Sequence, residues 1–434
     1  MDLSDQGGVP RAQIGGEQRV TPLELFFDLV FVFALTQVTG FLIHHLTWLG
    51  MLQAAALLTA LWGAWAVYSW LTNAVPAEEA NPARLVIFCS MAAMFVASLA
   101  VPDAFGEYGV LFGLAYFVVF LLQVVLFALA TGSAPEQRRA ILRLAPGFWG
   151  GPALLIVAGF LDGFAQGALW VAALAITYGV AAVRGVSGFR IHPGHFAERH
   201  GHIVIIALGE SIVAIGVGTQ GMAIGAGVIV AAVIGIALAA ALWWAYFDLV
   251  MLVAGRRLSE VKGAERARLA RDSYSYLHLP MVASIVLVAL GVKKTLTHVG
   301  DPLGTIPAVA LCGGVALYLL GHNAFRLRDV GSVSVPRLVV TVLCCALIPV
   351  AVSVPSLISL AILAVLLCAL AAFETMRSRE FRHELRALEA SVRRVASSLH
   401  GGKTSTWLPC FALLVRSSGS SRVRSSALVC LGAF

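Results

Sequence analysis

A chain of 434 residues that is 59% hydrophobic and 12% charged lies outside the range of soluble domains, which are about half apolar and a quarter charged. Its mean hydropathy of +0.88 points the same way and marks an integral membrane protein, for which domain counting from length does not apply. The formal net charge of +7 calls for no nucleic-acid partner, because a basic rim facing anionic lipid accounts for it.

The first 20 residues are polar and glycine-rich and have no signal-peptide core. Residues 1–20 are expected to be a disordered N-terminus, followed by a transmembrane domain over 21–375. A span needs about 20 mostly apolar residues. Twelve segments qualify: 23–43, 50–71, 84–101, 108–131, 145–161, 168–184, 203–219, 225–250, 279–298, 306–321, 336–353 and 355–373. The fold class is therefore all-α, a polytopic transmembrane helical bundle of transporter-like layout. With an odd segment crossing outward and an even one returning, every Lys and Arg except Lys293 and Lys294 falls on one side. The positive-inside rule makes that side the cytoplasm and places both termini there. Seven cysteines show no CxxC pair. Cys89, Cys312, Cys344, Cys345 and Cys368 lie in apolar segments and read as reduced packing residues.

Twelve spans suggest two halves of six, over 21–190 and 195–375. "ALLTALWGAW" (56–65) and "ALAAALWWAY" (237–246) share six of ten residues at an offset of 181. An offset of 182 sets Asp28 against Glu210. Six helices preserve orientation, so this would be a parallel repeat.

Three acids fall inside apolar segments: Asp28, Glu210 and Asp248. Each costs about 2.5–3.5 kcal/mol at the bilayer centre. All three are expected in the cytoplasmic half, around one polar cavity, with Glu24 one turn before Asp28 and Ser211 beside Glu210. Thr36 and Gln37 sit above Asp28. Gly209 and Gly216 would admit a partner helix. One reading is a proton relay or a cation or substrate site. The other is a helix-packing pair, such as Asp28 with Arg199.

"RIHPGHFAERHGHIVIIALGES" (190–211) is the densest polar stretch near a membrane entry. His195, Glu198, Arg199 and His202 share a helix face and are expected to line the cytoplasmic mouth of a pathway or to hold lipid phosphates. No HExxH pattern or added Cys or Asp completes a metal site, so neither a metal nor another cofactor is expected. Pro193 and Gly194 mark the turn before a helix. Trp62, Trp65, Tyr68 and Trp70, and again Trp243, Trp244, Tyr246 and Phe247, read as interfacial belts, with a cavity wall as the alternative. Tyr274, Tyr276 and His278 are expected at the interface, opening the ninth span.

Residues 376–400 form a basic amphipathic stretch. Phe381, Leu385, Leu388, Val392, Val395 and Leu399 repeat in heptad steps that suit the inner leaflet or a second copy of the chain. Residues 401–434 are expected to be disordered.

"LELFFDLVFVFALTQV" (23–38), "HFAERHGHIVIIALGES" (195–211), "LWWAYFD" (242–248) and "YSYLHLPMV" (274–282) together resemble the bacterial low-temperature-requirement protein A family. The resemblance runs from about residue 19 to 375. It implies a multi-pass protein of the bacterial inner membrane connected with growth in the cold. It maps the family's motif positions onto Glu24, Phe26, Phe27, Asp28, His195, Glu198, Arg199, Gly209, Glu210, Ser211, Trp243, Trp244 and Asp248. The residues themselves favour a proton- or cation-coupled secondary transporter of a small solute or ion, with membrane lipid as the constant partner. The alternative is a non-transporting scaffold or sensor. No nucleophile–base pair points to an enzyme.

Overall fold

The computed structural model describes residues 20–74, 81–131, 135–189, 191–219, 225–248 and 250–377, and among these there are helices and turns but no strand. The amphipathic stretch from 378 onward and the two termini lie outside the described residues.

Helices α1 (Pro22–His44) and α2 (Trp48–Ala74) form the first hairpin. Thr21 and Glu24 make a reciprocal capping box at the head of α1, where Pro22 occupies the first turn without losing a useful donor. Helices α3 (Asn81–Ala100), α4 (Gly109–Thr131), α5 (Pro135–Ala158) and α6 (Gly163–Arg184) follow as a packed meander. Gly113 sets the α4–α5 approach, because a Cβ there would lie 2.7 Å from Ile156 Cα.

Helix α7 (Pro193–Gly218) crosses next to α1. Helix α8 (Ala226–Phe247) returns and is prolonged by α9 (Val250–Glu260), which carries Arg256 and Arg257. Helix α10 (Gly263–Leu269) runs through a π-helical turn, Ala270–Tyr276, into α11 (His278–Thr297). The short α12 (Thr305–Ala308) runs through a second π turn, Val309–Gly313, into α13 (Gly314–Val330). Gly331, at φ +70°, ends α13 in the left-handed conformation and donates to Leu327 O. Helices α14 (Val335–Ala351) and α15 (Ser356–Arg377) complete the bundle.

Among the described residues, eleven helical passages are long and apolar enough to cross a membrane, and α14, with 17 residues, is a shorter apolar helix. Each of the twelve expected segments overlaps one of these. The chain is an all-α polytopic bundle. Helix α11 is its centre and packs against α1, α2, α7, α8, α13 and α15. The small-residue approaches are not at Gly209 and Gly216, where a Cβ would meet nothing within 4 Å. They include Gly113, as above, and Gly291, whose missing Cβ admits Leu311 of the second π turn.

The belt reading fails for Trp62, Trp65 and Tyr68 of the first aromatic group and for Tyr246 of the second, all of which are buried. Trp243 and Trp244 are 41% and 42% exposed, whereas Trp62, Trp65 and Tyr68 are fully buried. Of the pairs aligned by the proposed repeat, Trp62 and Trp243 differ in exposure, whereas Trp65 and Tyr246 are both buried. Tyr274 and His278 also lie in the core rather than at an interface. Extra turns below α11 enclose both residues, and a hydropathy window cannot see those turns.

Candidate functional site

The motif "ELFFD" divides by helix face. Phe26 and Leu29 point outward, at 52% and 59% exposed, and Phe27 stacks on Tyr68 with 4.0 Å between ring centroids. Glu24 and Asp28, four residues apart, point inward together. They meet a third inward residue, Arg199 of α7, which is also fully buried.

The guanidinium bridges both acids. Its Nη1 lies 2.8 Å from Glu24 Oε1 and its Nη2 lies 3.0 Å from Asp28 Oδ1. Helix α2 supplies the rest. Trp65 Nε1 donates to Asp28 Oδ1 at 2.8 Å, and Thr72 Oγ1 accepts from Arg199 at 3.4 Å. His195, one turn before Arg199, lies with Nε2 2.9 Å from Glu24 Oε2. The same oxygen accepts from the Thr21 N–H at 3.0 Å, so one carboxylate caps α1 and ties it to α7.

Asn73 fixes the state of His195. Its Oδ1 accepts from His192 N at 2.9 Å and its Nδ2 donates to His192 O at 3.1 Å, which sets the orientation of the amide. The same Nδ2 lies 2.9 Å from His195 Nδ1, so Nδ1 is an acceptor and the hydrogen of neutral His195 is on Nε2, donated to Glu24. With His195 in that form, two carboxylates face one guanidinium, and the network is one proton short of neutrality. Two atoms can take that proton. One is Asp28 Oδ2, buried without a hydrogen bond. The other is His195 Nδ1, where a proton would displace Asn73 and loosen α2 from α7.

Glu210 does not join this group. It accepts from Thr36 Oγ1 at 2.6 Å, and Thr36 lies eight residues beyond Asp28, about 12 Å along α1. The expectation of one cavity at one depth is corrected. Helix α7 begins at Pro193, ten residues before the expected span, because His195, Arg199 and His200 have buried partners and enter the helix. That moves Glu210 toward the far end of α7. Ser211 Oγ is buried and has no hydrogen bond. Asp248 is half-buried and forms the C-cap of α8.

The expected mouth residues also divide. His195 and Arg199 are 1% and 0% exposed and belong to the network rather than to an open mouth. Glu198 is half-buried, with Oε2 3.5 Å from Val20 N. His202 is half-buried, with Nδ1 unpaired. Sequence reasoning passed over Thr72 and Asn73 and read Trp65 as a belt residue or a cavity wall. The signal was present, because Trp65, Ser69, Thr72 and Asn73 form a polar stripe at helical spacing on an otherwise apolar α2.

The model of the family described as "Bacterial low temperature requirement A protein" matches residues 19–372. An uncharacterized protein of Rhizobium meliloti (strain 1021) is 32% identical over 316 residues, covering 69% of this chain and 75% of that protein. No solved structure matches. The matched span contains every residue of the network, and the chain belongs to the bacterial low temperature requirement A family.

Proposed function

We propose that the protein is a proton-coupled secondary transporter of a small solute or ion in the bacterial inner membrane, with both termini cytoplasmic. The observation that carries the reading is the charge count at Arg199. Two enclosed carboxylates share one permanent cation, and the missing proton has two alternative sites, Asp28 Oδ2 and His195 Nδ1. Moving the proton from Asp28 to His195 restores the charge on Asp28 and gives up the Asn73 contact. That couples protonation to the packing of α1, α2 and α7, and such coupling is what an alternating-access device needs. Glu210 with Thr36 is a second polar station further along the same helix pair. The reading assigns no covalent step and no enzymatic role. Lipid is its surrounding partner, and nucleic acid has no part in it.

The second reading, a non-transporting scaffold or sensor that supports growth in the cold, is favoured by one feature. Asp28 is closed into a network of bonds rather than open to a cavity.

The test is reconstitution in liposomes with an internal pH dye, comparing wild type with Asp28→Asn and Glu210→Gln. Asp28→Asn keeps the Arg199–Glu24 pair and mimics the protonated state. Transport predicts a flux in wild type that disappears in Asp28→Asn while the protein stays folded. No flux under any imposed gradient, with cold growth rescued by both variants, would leave the scaffold reading in its place.

A further inference from the structure

A cavity of about 80 Å³ lies between α2, α4, α5, α6 and the first π turn. On α2 its wall runs from Gly63 through Ala66 to Trp70, seven residues or about 10 Å of helix. Leu144 and Phe148 of α5 form another wall. A water-sized group needs about 10–15 Å³ of such space, so the cavity takes about five to eight of them. Spread over the length of the α2 wall, that is the section of an extended hydrocarbon chain rather than of a compact ring system.

The wall has little to offer a polar solute. Trp70 Nε1 donates to Ser275 Oγ at 2.8 Å, the Tyr178 hydroxyl to Thr59 O at 2.6 Å, the Tyr276 hydroxyl to Tyr178 O at 2.8 Å, and Thr177 Oγ1 to Ala173 O at 2.9 Å. Each of these four side chains lines the cavity, and each has already given its hydrogen to the protein. The charged residue of the lining is Arg271, whose Nε donates to Asp272 Oδ1 at 2.7 Å. A polar solute would leave water here without equal return. An acyl chain loses nothing on entering, but lipid tails are as apolar as the wall, so a chain from the bilayer gains only packing. Selectivity must come from the head group.

Three arginines stand at one end of the cavity. Arg143 is next to Leu144 of the lining, Arg139 is one turn before it on the same face of α5, and Arg184 is one turn beyond Ala181 of the lining. Arg184 Nη1 donates to Arg143 O at 3.1 Å, and Arg143 Nη1 donates to Ser187 Oγ at 3.1 Å, so α5 and α6 cross their arginines here. Among the described residues, none of the three has a carboxylate within salt-bridge distance. Cations grouped in this way repel one another, and a phosphate, with several acceptor oxygens, is a group that arginine binds well. Leu142 and Val183, beside Arg143 and Arg184, are 62% and 87% exposed. This corner of the bundle therefore presents both an apolar outer face and a basic end, as a lipid does in the opposite charge.

We propose that the cavity seats one acyl chain of an anionic membrane phospholipid, whose phosphate is held by Arg143 and Arg184. The seated chain touches Trp70 and the π turn. Trp70 holds that turn through Ser275, and Tyr276 and Arg271 tie it to α6 through the carbonyls of Tyr178 and Ala181. An occupied cavity thus braces the turn that leads into α11. The site shares no residue with the Arg199 network, and it does not depend on the transport reading.

The test uses the full chain in nanodiscs of neutral phosphatidylcholine, titrated with phosphatidylglycerol brominated in its acyl chains. Bromine quenches tryptophan fluorescence on contact, and Trp70→Phe identifies the share of the signal that belongs to the cavity. The expected result is that this share is quenched saturably by the brominated phosphatidylglycerol and not by brominated phosphatidylcholine. Arg143→Gln combined with Arg184→Gln raises the half-saturating fraction by about thirtyfold. Ala66→Leu fills the cavity and abolishes the saturable phase, with folding checked by gel filtration. The arginine variant changes only side chains at the rim and carries the test by itself if Ala66→Leu does not fold. Equal quenching by the two lipids, a half-saturating fraction unmoved in the arginine variant, or saturable quenching that survives in folded Ala66→Leu overturns the proposal. So does saturation by a brominated free fatty acid where phosphatidylglycerol gives none, which would make the occupant a free amphiphile. Flux or its absence in liposomes bears on the transport reading alone.

Discussion

Replacing Arg199 with Met removes the one permanent cation that faces two enclosed carboxylates. Glu24 is 4% exposed and Asp28 0%, so solvent cannot take over the role of the guanidinium. Removing one partner of a buried ion pair typically costs about 3–5 kcal/mol, because the charge left behind has already lost its hydration. Glu24 keeps His195 and Thr21 as donors, and Asp28 keeps Trp65. These contacts hold the loss within that range rather than doubling it for two acids. The assay is equilibrium unfolding in mixed micelles, run on wild type, Arg199→Met, and the triple variant Glu24→Gln, Asp28→Asn, Arg199→Met. The triple variant has no buried charge left at the site and should recover most of the loss, since replacing a whole buried ionic group by neutral residues is often close to neutral. A cost below about 1 kcal/mol for Arg199→Met, the size found for exposed pairs, would refute the claim that the network is sealed. A triple variant no more stable than Arg199→Met would show that the loss came from packing and not from stranded charge.

Trp65→Phe should keep the ring packing but remove the 2.8 Å donor to Asp28, lowering stability by about 1.5–3 kcal/mol in the same assay, as for hydrogen bonds to charged groups. Thr36→Val removes the hydroxyl that donates to Glu210. It should cost about 1–3 kcal/mol and be additive with Trp65→Phe, because the two sites share no hydrogen-bond partner. Gly113→Ala places a methyl where Ile156 Cα would be 2.7 Å away. The α4–α5 pair must then separate, at a cost of about 1–3 kcal/mol, while the Arg199 network stays intact. Selective loss of Glu24 or Asp28 function in that variant would contradict the independence of the meander from the site.

The sequence by itself determined the class of the molecule and the order of its apolar helices. Hydrocarbon requires every backbone group to be satisfied within its own segment, so hydropathy and length are enough to find the spans. It also determined which residues are too costly to be idle. Asp28, Glu24, Glu210 and Arg199 stand out because a charge among apolar side chains must be paired or used. Tertiary structure alone decided which of these meet. Asp28 and Glu210 look equivalent along the chain, yet one faces Arg199 and the other Thr36. The difference arises because α7 begins ten residues before its apolar stretch and carries its polar head into the core. Burial of Trp62, Tyr274 and His278 was likewise invisible in the sequence. Belt and core positions have the same composition, and only the packing of α11 against its neighbours encloses them. The state of His195 needed still more, because it depends on an Asn73 amide held by the His192 backbone. That is a contact between helices far apart in sequence, and no local pattern encodes it.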